Sequence, residues 1–367
     1  MNSSQPRTIV IATGLFILTS AAARAGQSAA VAPSRPITVM TQNVYNGVDA
    51  QIAAIPLATS PADLIAKVGA VYNGYFARRF PERAAALANE ILLARPDVIG
   101  LQEAVMLRTQ EPADGSATPA TNVELDYVQI LLDALTARGL AYKVVAESIG
   151  LDVELPGAIA PGRIVDVRHT DREVILARAD LQSNALTIAN SQGGHFQVNC
   201  AVPILGGSIV IPRGWVSVDA STGSRKVRIV STHLDADCLP FTTAIQESQA
   251  LEILAGPAAT SLPVVLIGDF NSPADGTGDT YKLVTGTAGQ FTDSWTRSGL
   301  GAGLTCCQAA DLLNVSSTLN ERVDLVLFRG SLTPLASVTV GDRPIFKTPS
   351  GLWPSDHAGV VAVLVPR

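Results

Sequence analysis

Several short pieces of this chain end or begin apolar runs with side chains that can do chemistry. Asn43 follows Ile37–Met40, Glu103 follows Val98–Leu101, and His233 follows Val227–Val230. Asp269 and Asn271 follow Val264–Ile267 in VVLIGDFNS. Asp324 sits inside Val323–Leu327, and Asp356-His357 precedes Val360–Val365. A buried strand needs none of these groups at its end. Any one of them alone reads as a turn former or a helix cap. Together they read as one rim where strands converge, which is where α/β proteins build sites. Two of the four histidines belong to the set.

The chemistry follows from the residue types. Glu103, Asn43 and Asp356 offer hard oxygen ligands without a thiolate, which suits Mg²⁺ or Mn²⁺ better than zinc. His357 is a candidate general base, with Asp324 to hold its ring in the needed tautomer. His233 and Asn271 can donate hydrogen bonds to an anionic oxygen. Metal, base and donors together favour attack of water on a phosphate ester. A serine or cysteine nucleophile is not indicated: GxSxG is absent, and neither Cys306 nor Cys307 lies near a histidine in sequence.

Strands are expected at Ile37 to Val44, Asp97 to Glu103, 141–146, 173–178, Lys226 to His233, Val264 to Ile267, Val323 to Phe328 and Gly359 to Val365. Helices are expected from Pro81-Glu82 through Arg95, over Glu124 to Arg138 with Gly139 as C-cap, and over Thr242 to Leu254. Residues 45–80 read as loop and short helix, with Pro56, Ser60-Pro61 and Gly74 as breakers. Residues 182–225 alternate, with many glycines, as hairpins do. No repeat, long linker or shift in composition divides the chain, so residues 36–367 read as one α/β domain with a mixed sheet arrangement.

The first 25 residues have the form of a secretory signal. Arg7 precedes an apolar stretch, and Ala23-Arg24-Ala25 has the small-x-small pattern of a cleavage site. Residues 26–35 read as a disordered lead-in, and the location as secreted or periplasmic. No later stretch is long and apolar enough to span a bilayer. Without Arg7 and Arg24, 24 basic residues face 32 acidic ones, a formal net charge of −8. That argues against non-specific grip on long nucleic acid, which calls for a basic footprint. Four cysteines in an exported chain point to disulfides. Cys200–Cys238 is one pairing, which leaves Cys306 and Cys307 as an adjacent pair.

The ordered series Thr-Gln-Asn43, Leu-Gln-Glu103, Ser-Thr-His233-Leu, Gly-Asp269-Phe-Asn271, Arg-Val-Asp324-Leu-Val-Leu and Ser-Asp356-His357 resembles the endonuclease/exonuclease/phosphatase superfamily. That group includes DNase-I-like nucleases, apurinic endonucleases, inositol-polyphosphate 5-phosphatases and neutral sphingomyelinases. The resemblance implies a four-layer sandwich of two packed mixed β-sheets flanked by helices. It implies Glu103 as the main metal ligand, with Asn43 and Asp356 completing or supporting the site. Asp269 would orient the attacking water or serve the leaving group, and Asn271 would hold the phosphate and that water. His233 would stabilise charge on the phosphoryl oxygens. His357 would be the catalytic histidine with Asp324 as its carboxylate partner. Members differ on whether the histidine or Asp269 activates water. Asp171-Arg172-Glu173 reads as a charged turn; because relatives often place a substrate contact in this segment, Arg172 is also a candidate for binding phosphate. Gln246 and Leu251 would back the sheet.

The expectation is a secreted Mg²⁺- or Mn²⁺-dependent phosphodiesterase or phosphomonoesterase. Its substrate would be a phospholipid headgroup, a nucleic acid or a small phosphodiester, and no protein partner is inferred. A lipid substrate calls for an exposed anchor near the cleft, for which Trp215 and Trp353 are candidates. The alternatives are a secreted nuclease of the same fold or a module that binds a phosphate ligand without turnover.

Overall fold

The apolar strands pair into two mixed sheets. The computed structural model describes residues 35–236, 238 and 240–367. The expected signal segment, 1–25, and the lead-in up to residue 34 lie outside them. Among the described residues, one sheet runs in the order Leu332–Val340, Gly359–Pro366, Ile37–Asn43, Val98–Gln102, Arg163–Arg178, Met106–Gln110 and Asn122–Asp126. Its eighth strand, Tyr142–Ala160, also pairs with Arg163–Arg178. The second, six-stranded sheet runs Thr292–Asp293, Asp324–Arg329, Val264–Asp269, Arg225–His233, Gly214–Thr222 and Thr187–His195.

Apolar side chains on both faces of each sheet create the layers. Val39, Val98, Ile175, Ile229, Val265 and Val360 fill the space between the sheets. On the far face of the first sheet, Ile99 and Leu101 meet Tyr75, Leu87, Ile91 and Leu131 from helices Pro61–Ala77, Phe80–Ala94 and Tyr127–Thr136. On the far face of the second, Leu266 and Leu327 meet Ile253 and Val284 from helices Thr242–Ala255 and Asp279–Thr285. Strands covered on both sides read as unbroken apolar runs, as these do. The fold is the four-layer α/β sandwich expected above.

Several elements differ from expectation, each for a physical reason. Ser60-Pro61 starts a helix and does not break one: Ser60 caps Pro61–Ala77 by accepting from the Asp63 N–H at 3.2 Å, with Pro61 in the first turn. The helix expected from Glu124 starts later, because Asp126 is its N-cap and Asn122–Asp126 is a strand. The pieces expected at 141–146 and 173–178 are ends of one long hairpin, Tyr142–Ala160 with Arg163–Arg178. The unexpected strand Leu332–Val340 carries Pro334, which an edge position at a register shift tolerates. Arg35, at the end of the lead-in, pairs with the buried Asp97 at 2.7 Å. Both cysteine pairings occur, Cys200–Cys238 and Cys306–Cys307. No helix among the described residues is long and apolar enough to cross a membrane.

Glu90 is fully buried on helix Phe80–Ala94, and neither of its carboxylate oxygens has a hydrogen-bond partner among the described residues. Burial, with Asp342 nearby, pushes its carboxyl well above the ordinary value of 4.5. Folding at neutral pH must therefore protonate it, so stability falls as pH rises above 4.5 toward the raised folded-state value. Glu90→Met should stabilise the protein by about 1–3 kcal/mol at pH 8. The gain should be smaller at pH 5, as urea unfolding at the two pH values will measure.

Candidate active site

Strand pairing brings the polar ends together. In the first sheet Asn43 lies beside Gln102, one residue before Glu103. In the second, His233 pairs with Asp269, and Asp269 with Asp324. The antiparallel strand Gly359–Pro366 beside Ile37–Asn43 delivers Asp356-His357 to the same edge. Two glycines permit the close approach. A Cβ on Gly100 would collide with Ser231 of the opposite sheet and reach 2.9 Å from Ile267 Cδ1. A Cβ on Gly268 would collide with the Thr232 carbonyl of the neighbouring strand.

Asp269 lies at the centre of the cluster and is buried. Its Oδ2 is 3.1 Å from Asn43 Nδ2, 3.6 Å from His233 Nε2 and 3.7 Å from His357 Nδ1. Its Oδ1 accepts from the Asn271 N–H at 2.9 Å. Burial works to raise its carboxyl, but the two imidazoles and the N–H donors win and hold it below the ordinary range.

The two histidines are driven apart. His357 Nδ1 lies 2.8 Å from Asp324 Oδ2. Burial opposes its charge, yet Asp324, Asp356 and Asp269 overcome that and hold the imidazolium well above the ordinary value. His233 is buried beside Arg213, and burial first and then that guanidinium push it down to about 3. Arg213 Nη1 donates to His233 Nδ1 at 2.9 Å. That leaves the His233 proton on Nε2, on the side facing Asp269. One imidazole is thus charged and the other is a neutral N–H donor.

Glu103 Oε2 accepts from the Asn46 N–H and side-chain amide, both at 2.7 Å, and its Oε1 accepts from Asn43 Nδ2 at 2.8 Å. Glu103 and Asn271 both adopt left-handed backbone, at φ 56° and 46°. An asparagine accommodates this more readily than a glutamate, so the aim of Glu103 is held at a cost in strain. Asp356 is pushed up to about 7 by burial, with Glu103 adding repulsion. Glu103 and Asp356 line the same cavity and are the carboxyl pair that could hold a hard divalent cation. Asn43 does not fit as a ligand in this arrangement. Its Oδ1 accepts from the Tyr45 N–H at 2.9 Å, and its NH₂ bridges Glu103 and Asp269. It orients the two acids.

Arg172 stands apart from the cleft. Its guanidinium bonds the Ala104 carbonyl at 2.7 Å and Asp126 at 2.5 Å. Strand alternation explains this. Val174 and Leu176 face the helices, whereas Ile175 and Ala177 face the other sheet. Arg172 shares the former face, and Asp171 and Glu173 share the latter. Asp171 lines the cleft, and Glu173 Oε1 lies 3.8 Å from His233 Nδ1. Extending the period-2 pattern back from 174–177 would have assigned both. Arg213, from the hairpin region, gave no such signal. His169, hydrogen-bonded through Nδ1 to Tyr75, also lines the cleft.

Gln246 has the supporting role expected, donating to the carbonyls of Asp235 at 2.6 Å and Asn271 at 2.9 Å. Leu251 does not: it is half exposed. Trp353 is fully buried with Tyr45, Leu312 and Leu352, and Trp215 packs against the outer core of the second sheet. Neither is an exposed anchor.

The family model described as Endonuclease/Exonuclease/phosphatase family matches residues 40–357. The chain belongs to the endonuclease/exonuclease/phosphatase family. No curated protein matches it. Solved structures share the family fold at low identity. A family protein from Bacteroides thetaiotaomicron is 16% identical, with TM-score 0.56, over 91% of this chain and 99% of that one. The mannosyl-6-phosphatase of the same species is 17% identical, with TM-score 0.53, over 90% and 99%. TDP2 of D. rerio, complexed with a single-strand DNA product, is 17% identical, with TM-score 0.53, over 90% and 98%. In this family member Arg172 lies outside the cleft, Asn43 supports Glu103, and Arg213 lines the site.

Removing the Arg213 charge tests the part of the guanidinium in keeping His233 neutral. In Arg213→Leu the His233 pKa should rise from about 3 toward its ordinary value of 6.5, read by NMR titration of the imidazole. An unmoved pKa would contradict the role given to the guanidinium.

Proposed function

We propose that the chain is an exported, metal-dependent phosphoesterase that hydrolyses a phosphodiester by direct attack of water. The observation that carries this reading is the buried Asp269 carboxylate, with Oδ2 3.6 Å from His233 Nε2 and 3.7 Å from His357 Nδ1, and Asp324 Oδ2 2.8 Å from His357 Nδ1. Asp269 is placed to take the proton of the attacking water. The oxygen of that water forms a new bond to phosphorus, the bond to the leaving alcohol breaks, the alkoxide is protonated by solvent water, and Asp269 returns its proton to solvent. His233 donates from Nε2 to a phosphoryl oxygen, and the His357 imidazolium offsets the charge that develops there. Asp324 holds that imidazolium in place. Asn271, pinned through its Nδ2 to the Leu234 carbonyl at 3.1 Å, lines the same cavity and keeps the Asp269 loop in position. A Mg²⁺ or Mn²⁺ ion at Glu103 and Asp356 would polarise the phosphoryl group. The solved structures support the substrate class, since one is a mannosyl-6-phosphatase and another holds a DNA product.

Asp269→Asn and His357→Ala should each lower kcat by roughly 10²–10⁴-fold, with far-UV circular dichroism unchanged. Glu103→Ala and EDTA should each abolish turnover of bis(p-nitrophenyl) phosphate. Near-normal turnover in all three variants with Mg²⁺ or Mn²⁺ would exclude the mechanism.

A further inference from the structure

The catalytic cluster occupies only one end of its cavity. The cavity holds about 520 Å³ and is lined at that end by Glu103, Asp269, Asn271, His233 and His357. This volume suits a small organic ligand. Its other end is aliphatic. The hairpin Cys200–Ile204 with Gly207–Ile211 belongs to neither large sheet. Its register pairs Val202 with Ile209, Cys200 with Ile211 and Ile204 with Gly207. Cross-strand partners share a face. Val202, Ile204, Ile209 and Ile211 therefore form one row, and all four line the cavity. The alternate residues Ala201, Pro203, Ser208 and Val210 are exposed.

A two-stranded hairpin is marginal in water by itself. This one is tied by the Cys200–Cys238 disulfide to the segment that leaves His233. Its apolar row remains only half-buried. Leu151, Val153 and Leu155 of the long hairpin, with Ile55 and Val68, line the same cavity. Aliphatic side chains of both hairpins thus line one cavity together with the phosphate-handling groups.

We propose that this chamber receives an aliphatic chain of the substrate, so that the enzyme is selective for phosphate esters of lipid-like alcohols. The proposal rests on the phosphoesterase reading for the polar end alone. A nucleobase is the competing occupant, and the lining disfavours it. Sites for single nucleotides stack the base on aromatic rings, and no Phe, Tyr or Trp is among the described residues lining the cavity. The chain also carries a formal net charge of −6 and lacks a basic footprint for a polyanion.

Calorimetric titration with inorganic phosphate and then ethyl, butyl, hexyl and octyl phosphate, in Mn²⁺, tests the chamber without turnover. Affinity should rise roughly fourfold per added methylene until the chamber is full. Affinity independent of chain length would overturn the proposal. A second series, p-nitrophenyl diesters with methyl to octyl chains, separates the two readings. Hydrolysis of the methyl ester with no chain-length trend leaves the activity standing and sinks the chamber. A binding trend with no hydrolysis does the reverse. Ile209→Asn should flatten the binding trend, and Ile209→Leu, which conserves volume, should keep it. A trend retained in Ile209→Asn would also overturn the proposal. Cleavage of dihexanoyl-phosphatidylcholine below its micelle concentration would assign a free ester as the source. Cleavage of dioleoyl-phosphatidylcholine vesicles alone would assign a bilayer.

Discussion

Asp269 is a buried carboxylate whose charge is matched by two imidazoles and by N–H donors at its own strand end. A buried charge is tolerated only when it is paired and hydrogen-bonded. That requirement reaches through the whole fold. Asn43 must come from the first sheet and His233 from the neighbouring parallel strand. His357 must come from the segment entering the last strand of the first sheet. Each partner is supplied by a different strand end, so register errors in either sheet would leave the charge exposed to an apolar surround.

The same carboxylate explains why the two histidines differ. Both are buried, and burial alone would neutralise both. His357 faces Asp324, Asp356 and Asp269, whereas His233 has Arg213 at Nδ1. Burial, reinforced by Arg213, keeps His233 a neutral donor, whereas three carboxyl groups overcome burial at His357. Divergent environments for like groups are the usual means by which one site holds both states at one pH.

Buried cationic and amide side chains hold the loops that carry the site, largely through backbone carbonyls. Arg83 donates to the carbonyls of Val44, Tyr45 and Pro354, tying the loop after Asn43 to the loop before Asp356. Gln246 fixes the loop after Asp269, and Arg172 fixes the turn after Glu103. Irregular backbone around a cleft needs such partners, because its carbonyls have no ladder to join.

How much of this was legible depends on the range of the interaction. Apolar runs, GDFN and the Asp356-His357 pair lie in continuous stretches, so strand positions and most site residues could be read from local pattern. The residues alone gave one α/β domain with a mixed sheet arrangement, and the four-layer sandwich followed from the family resemblance. The face occupied by Arg172 was a period-2 question that a longer run of the strand would have answered. Arg213, the orienting role of Asn43 and the aliphatic chamber could not be read. They arise where the Cys200–Ile211 hairpin and the two sheets meet, between segments far apart in the chain. The sequence by itself determined which groups were available and at which strand ends. Only the tertiary structure decided their charge states, tautomers and neighbours, because electrostatic coupling depends on distance through space and on exclusion of water.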